Sequence, residues 1–190
     1  YDARAVANVL KDEYGFEIKL LLNATHDQMF RALENYRRKT TKADNLLIYY
    51  AGHGYLDKEA DEGFWLPVDA EENSQLNWIP NADIIRSVST MNAKHVMVVA
   101  DSCFSGTLTR GIKIREKTPD YLQRISKQKA RVAITSGGEE PVTDVGAGGH
   151  SAFANAFLYI LRQNTEVMDS HDLYTQLRHK VMINTDQTPR

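Results

Sequence analysis

Hydrophobic positions along this chain alternate between two periods. In residues 2–14, Ala3, Val6, Ala7, Val9 and Leu10 fall on one helical face, with Gly15 at the stop. Glu17 to Leu22 reads as a strand. Thr25, followed by Gln28, has the form of a capping box and opens a helix carried by Met29, Phe30, Leu33 and Tyr36. Residues 45–51 are a continuous apolar run without alternation, the pattern of a central parallel strand covered on both faces. Phe64 to Asp69 leaves room for a small strand or hairpin arm. Pro80 is expected at the first position of a helix reaching about Met91, and a second apolar strand covers 95–101. Arg131 to Ser136 predicts another strand, 137–149 a glycine-rich loop, and 151–161 and 170–183 two more helices. Strands alternating with helices at this spacing predict βαβ units. The fold class is α/β, a three-layer α/β/α sandwich around a mainly parallel sheet.

The two longest apolar strands end in chemistry. Residues 46–50 lead into Ala51-Gly52-His53-Gly54, and residues 95–100 lead into Asp101-Ser102-Cys103. Side chains just past the carboxyl ends of parallel strands stand where ligands of open α/β sheets bind. If the strands are neighbours, His53 and Cys103 form a dyad. A free thiol is only a few per cent ionised at neutral pH, and an imidazole activates it by taking its proton. The amides of Gly54 and Cys103 are then the candidates for an oxyanion hole, each donor worth about 3–4 kcal/mol in a transition state. A lone strand-end cysteine is more often a buried small hydrophobe; the pairing with Gly-His-Gly changes that balance. Ser102, Ser105 and Thr107 are rival nucleophiles, but no Gly-x-Ser-x-Gly elbow surrounds them. His26, His95, His171 and His179 occupy ordinary structural positions, and His150, beside the glycine-rich loop, is a second candidate.

Composition narrows the classes. The chain of 190 residues carries a net charge of −2, which gives no general attraction to nucleic acid or anionic lipid. No apolar run approaches the ~20 residues of a membrane span, and no signal-peptide pattern opens the chain. Its 1 cysteine precludes an internal disulfide and fits a reducing, cytoplasmic setting. Scattered histidines and one cysteine give no zinc-ligand spacing, and no phosphate-binding glycine fingerprint follows a strand. Both ends are abrupt, so excision from a longer chain is expected.

Tyr49-Tyr50-Ala51-Gly52-His53-Gly54 and Asp101-Ser102-Cys103-Phe104-Ser105-Gly106 resemble the histidine and cysteine motifs of the caspase-like clan, in particular the metacaspases and bacterial caspase-like proteases. The interval 103 − 53 = 50 fits a family whose histidine lies about 50 residues before its cysteine. The resemblance implies the caspase-like fold and a cysteine endopeptidase acting on polypeptides. It implies His53 as general base and acid and Cys103 as nucleophile. True caspases have Gln-Ala-Cys at the nucleophile; here Asp101-Ser102-Cys103 stands instead. In metacaspases that Asp lies in the pocket for the residue preceding the cut bond. The resemblance therefore implies a substrate pocket of Asp101, Asp2 and Ala51 that takes Arg or Lys by charge complementarity.

The resemblance also divides the chain into a large-subunit part of about 1–106, a basic connection of about 107–130 and a small-subunit part of about 131–190. Residues 107–131 hold 8 Lys/Arg against 2 Asp/Glu, and Arg110, Arg115, Arg124 and Lys127 are candidate points of self-cleavage in a zymogen. Calcium-dependent relatives carry an acidic cluster where this chain has Asn81-Ala82-Asp83 and Arg110, so the expectation is no cofactor and an incomplete calcium site. The acidic stretch 57–72 reads as a solvated loop. Two alternatives stay open: a catalytically silent scaffold, and a clan member of other specificity released by a regulatory partner domain.

Overall fold

The computed structural model describes residues 1–102, 129–137 and 149–190. Cys103, the four candidate cleavage residues and most of the glycine-rich loop lie outside the described residues. The chain opens with α1 (Asp2–Asp12) and α2 (His26–Lys39), followed by β1 (Asn45–Ala51). A hairpin of β2 (Gly54–Asp57) and β3 (Glu62–Trp65) comes next, then β4 (Ile79–Pro80), α3 (Asn81–Thr90) and β5 (His95–Asp101). The described residues close with β6 (Ala130–Thr135), α4 (Ala152–Gln163) and α5 (Ser170–Asn184).

The main sheet has the order β1-β5-β6, all parallel, and β2-β3-β4 form a small antiparallel sheet beside it. Each strand of the main sheet sends alternate side chains to opposite layers. Val96, Val98 and Ala100 join Leu33, Trp65, Ile84, Val88 and Met91 in the core under α2 and α3. Val99 and Ile134 join Val6, Val9, Leu10, Phe153, Phe157, Leu177 and Val181 in the core under α1, α4 and α5. Phe153 and Phe157 are 0% exposed, and burying each contributes about 1.5–3 kcal/mol. The three-layer α/β/α sandwich expected from the strand–helix alternation is the observed architecture.

Local signals held in most places. Thr25 caps α2 reciprocally with Gln28: its hydroxyl accepts from the Gln28 backbone N–H at 3.3 Å and its own backbone N–H donates to the Gln28 side-chain Oε1 at 3.0 Å. Pro80 stands one position earlier than expected, capping α3 while its φ of −62° also fits the short β4. The hairpin arm expected over 64–69 lies earlier, at 62–65, paired with β2, and residues 66–69 are not strand.

The expected strand at Glu17 to Leu22 is not one. Among the described residues the segment has no ladder partner, and with β1 it lines a cavity of about 930 Å³. Ile18, Leu20 and Leu21 line it together with Leu46, Ile48 and Tyr50. Strand composition without a neighbour to accept its hydrogen bonds does not make a strand. Arg131, the last cation of the basic run 107–131, is not a solvated side chain. Its guanidinium donates to the carbonyls of Val88, Met91, Ala93, Lys94 and Ala130 at 2.8–3.1 Å, tying β6 to the end of α3. At the chain end, Arg190 and Thr135 exchange backbone hydrogen bonds of 2.7 and 3.1 Å along β6.

The difference between β5 and residues 17–22 is measurable. In native-state hydrogen exchange, the amides of Ile18 to Leu22 should exchange orders of magnitude faster than those of Val96 to Ala100. Equal protection of the two segments would contradict the described pairing.

Candidate active site

β1 and β5 pair from Asn45 opposite His95 to Ala51 opposite Asp101. The offset of 101 − 51 = 50 is the same as the interval between His53 and Cys103. The Gly52 amide donates to the Asp101 carbonyl at 3.3 Å, extending the bonding one residue beyond the ladder. Beyond that point the chain that follows β1 turns into β2.

His53 is exposed, and its backbone is fixed from two sides. Its carbonyl accepts the Tyr50 hydroxyl at 2.6 Å and the Leu66 amide at 3.0 Å. Tyr50 lies flat on Trp65, with ring centroids 4.2 Å apart and planes 2° from parallel. The glycine before the histidine answers to this ring: a Cβ on Gly52 would stand 2.7 Å from the Tyr50 hydroxyl oxygen and 2.9 Å from its ring carbon Cζ. Gly52 is thus required by close approach. Gly54 opens β2 opposite Trp65. Because the His53–Leu66 step carries the inter-strand hydrogen bond, the alternation of an antiparallel ladder turns the Gly54 N–H away from β3.

Ser136 holds the other strand end. Its amide donates to the Ala100 carbonyl at 2.9 Å, and its hydroxyl accepts from the Ser102 amide and donates to the Ser102 carbonyl, at 3.0 and 3.1 Å. Ser102 is 1% exposed, poorly placed for a nucleophile, while Ser105 and Thr107 lie outside the described residues. Nothing in the sequence marks Ser136, since a serine after a strand is unexceptional.

The predicted pocket residues come together. Asp101 is buried, and its Oδ2 accepts from the Ser151 hydroxyl at 2.5 Å and from the Tyr49 hydroxyl at 3.4 Å. Asp2, at the start of α1, faces His150 Nδ1 at 2.6 Å and accepts the Ser151 amide at 3.3 Å. Ala51 ends β1 directly opposite Asp101. Tyr49 lies between the layers, its ring parallel to Phe157. Burial first, then the charges of Asp101 and Asp2, hold its hydroxyl well above the ordinary tyrosine range. His150, a secondary catalytic candidate in the sequence, belongs to this acidic group rather than to the His53 turn. His95 bonds Asn45 at 2.7 Å and the His26 ring packs against Phe30 at a tilt of 37°.

Among the described residues, no group of three or more His, Cys, Asp and Glu could hold a metal ion. At the calcium motif position, Asn81 is buried and Asp83 is bonded to Arg86 at 2.8 Å, while Arg110 lies outside the described residues. No helix among the described residues is long and apolar enough to cross a membrane.

Two measurements probe this geometry. Gly52→Ala should lower stability by about 1–3 kcal/mol in denaturant unfolding, because the stacked Tyr50 ring has no room to yield. Tyr49 and Tyr50 both have raised hydroxyl pKa values, Tyr50 again through burial. Their neutral forms stabilise the fold fully below the unfolded tyrosine value of about 10, and that stability is lost as pH rises above it. Followed by tyrosinate absorbance, they should ionise only as the fold is lost. Tyr49→Phe and Tyr50→Phe should each remove amplitude from that late step and none from the early one.

The sequence matches the model of the caspase domain, Peptidase_C14, over residues 1–190. None of the curated proteins compared with it matches. Among solved structures, a protein of Geobacter sulfurreducens is similar with a TM-score of 0.67 at 19% identity, covering 100% of this chain and 81% of its own. Caspase-1 from Spodoptera frugiperda is similar with a TM-score of 0.65 at 18% identity, covering 100% of this chain and 75% of its own. With its parallel sheet, its histidine turn and a family match along its whole length, the chain belongs to the caspase-domain family of cysteine peptidases.

Proposed function

We propose that the protein is an endopeptidase that cuts polypeptides after Arg or Lys, using Cys103 as nucleophile and His53 as general base and acid. The observation that carries this reading is the β1–β5 register. It sets Ala51 opposite Asp101, and each candidate catalytic residue follows its own strand end by two positions. His53 takes the thiol proton, the thiolate attacks the scissile carbonyl, and the imidazolium returns the proton to the leaving amine. Water then hydrolyses the acyl-enzyme by the reverse sequence of proton transfers. The Gly54 N–H, turned away from its own ladder, and the Cys103 N–H stabilise the tetrahedral oxyanion. No cofactor is required for this sequence.

Selection of a basic residue rests on Asp101 and Asp2. Both are enclosed near the end of the sheet, and both bear on the same tyrosine, Tyr49. A cationic side chain is favoured there, and an Asp or Glu side chain is repelled. The chain divides functionally into a large-subunit part (1–106), a connection (107–130) and a small-subunit part (131–190). Self-processing at Arg110, Arg115, Arg124 or Lys127 would follow from the same specificity. Arg131 marks the downstream limit, since its guanidinium is committed to five carbonyls.

Mass spectrometry of peptides cut by the purified protein tests the reading. Cuts should follow Arg and Lys, and Cys103→Ala or His53→Ala should lower kcat/KM by roughly 10⁴–10⁶-fold. Cleavage after Asp would overturn the specificity. Undiminished cleavage by Cys103→Ala would overturn the mechanism. Alkylation by iodoacetamide at neutral pH separates an enzyme from a silent scaffold: the activated thiol should react faster than free cysteine and slow in His53→Ala.

A further inference from the structure

The reading above leaves Ser151 unused, yet this residue holds both pocket carboxylates. Its hydroxyl donates to Asp101 Oδ2 at 2.5 Å and its amide donates to Asp2 Oδ2 at 3.3 Å. The direction of the hydroxyl proton follows from counting. Ser151 is the N-cap of α4, and its oxygen accepts the Ala154 amide at 2.8 Å. A serine hydroxyl has one proton, and an ionised carboxylate can only accept, so that proton faces Asp101. The site is enclosed, with Ser151 7% exposed and Asp101 5% exposed.

The neighbouring residues set this clamp in place. His150 donates from Nδ1 to Asp2 Oδ1 at 2.6 Å, the tautomer following from the acceptor-only carboxylate. Gly149 precedes it at φ +79°, a left-handed conformation that L side chains rarely adopt. The carboxylates come from α1 and β5, elements 101 − 2 = 99 positions apart in sequence, and residues 150–151 join them.

We propose that Ser151 is a specificity-determining positioning residue: by hydroxyl and amide it fixes Asp101 and Asp2 relative to each other, so that one guanidinium can engage both. This rests on the proposed basic specificity and deepens it. A guanidinium is a rigid planar fork whose donors need acceptors at set positions, whereas an ammonium on a flexible stem adapts to displaced ones. Loosening Asp101 therefore costs an Arg substrate more than a Lys substrate. Ser151 touches no reacting atom, and its loss acts on binding.

The experiment uses paired peptides that differ only in Arg or Lys before the cut, assayed with the wild type, Ser151→Ala, Ser151→Gly and Ser151→Thr. Glycine is included because it caps helices nearly as well as threonine, which separates loss of the hydroxyl from loss of the cap. Both hydroxyl-less variants should lose about tenfold in kcat/KM for Arg, carried in KM, with a smaller loss for Lys. Ser151→Thr should restore the Arg preference. Cleavage after basic residues with an unchanged Arg-to-Lys ratio in both variants would overturn this proposal alone, as would equal losses for the two peptides. If the wild type cuts neither peptide, the protease reading fails, and the clamp is read by calorimetric titration with Nα-acetyl-arginine amide and Nα-acetyl-lysine amide. There the wild type should bind the arginine compound more tightly and Ser151→Gly should lose the difference; no binding by the wild type would overturn the clamp as well.

Discussion

The parallel pairing of β1 with β5 is the constraint on which the rest of this structure depends. Seven residue pairs fix the register, from Asn45 opposite His95 to Ala51 opposite Asp101. Because side chains alternate along a strand, a slip of one residue would carry every side chain of one strand to the other layer. Asp101 would leave Ser151 and Tyr49 and enter the apolar core under α2 and α3, where an unpaired carboxylate is very costly. The packing of both layers therefore defends a register that also sets the geometry of the strand ends.

Adjacent residues of β1 divide two tasks between the layers. Tyr49 faces α4, stacks on Phe157 and donates to Asp101. Tyr50 faces the other way, stacks on Trp65 and fixes the carbonyl of His53. One layer thus holds Asp101 while the other steadies the histidine turn.

Much of this was legible in the residues, for identifiable reasons. The capping box of Thr25 and Gln28 is a local interaction, and the apolar run at 95–101 declares a central buried strand, whereas 45–51, read the same way, stands at the sheet edge among the described residues and is only half-buried. The equal interval between strand ends and motif residues let two weak signals reinforce each other. Asp101 and Asp2 were legible only through resemblance, since a strand-end Asp and a first-turn Asp are otherwise ordinary. What escaped depends on partners distant in sequence. Glu17 to Leu22 has strand composition, but no composition reports whether a neighbouring strand is there to pair with it. Arg131 sits in a basic run and looks solvated; only the tertiary arrangement of five carbonyls around it says otherwise. Ser151 reads as a helix cap, which it is, and its second bond, to Asp101, needs the sheet to be seen.

The cavity beside β1 bears on how this chain behaves in company. Among the described residues β1 pairs on one side, and it lines the cavity that Glu17 to Leu21 also line. An apolar strand with an open edge is a template on which a further strand can add. A closed sheet is indifferent to how crowded it is. In this chain that edge belongs to the very strand whose far end leads into His53.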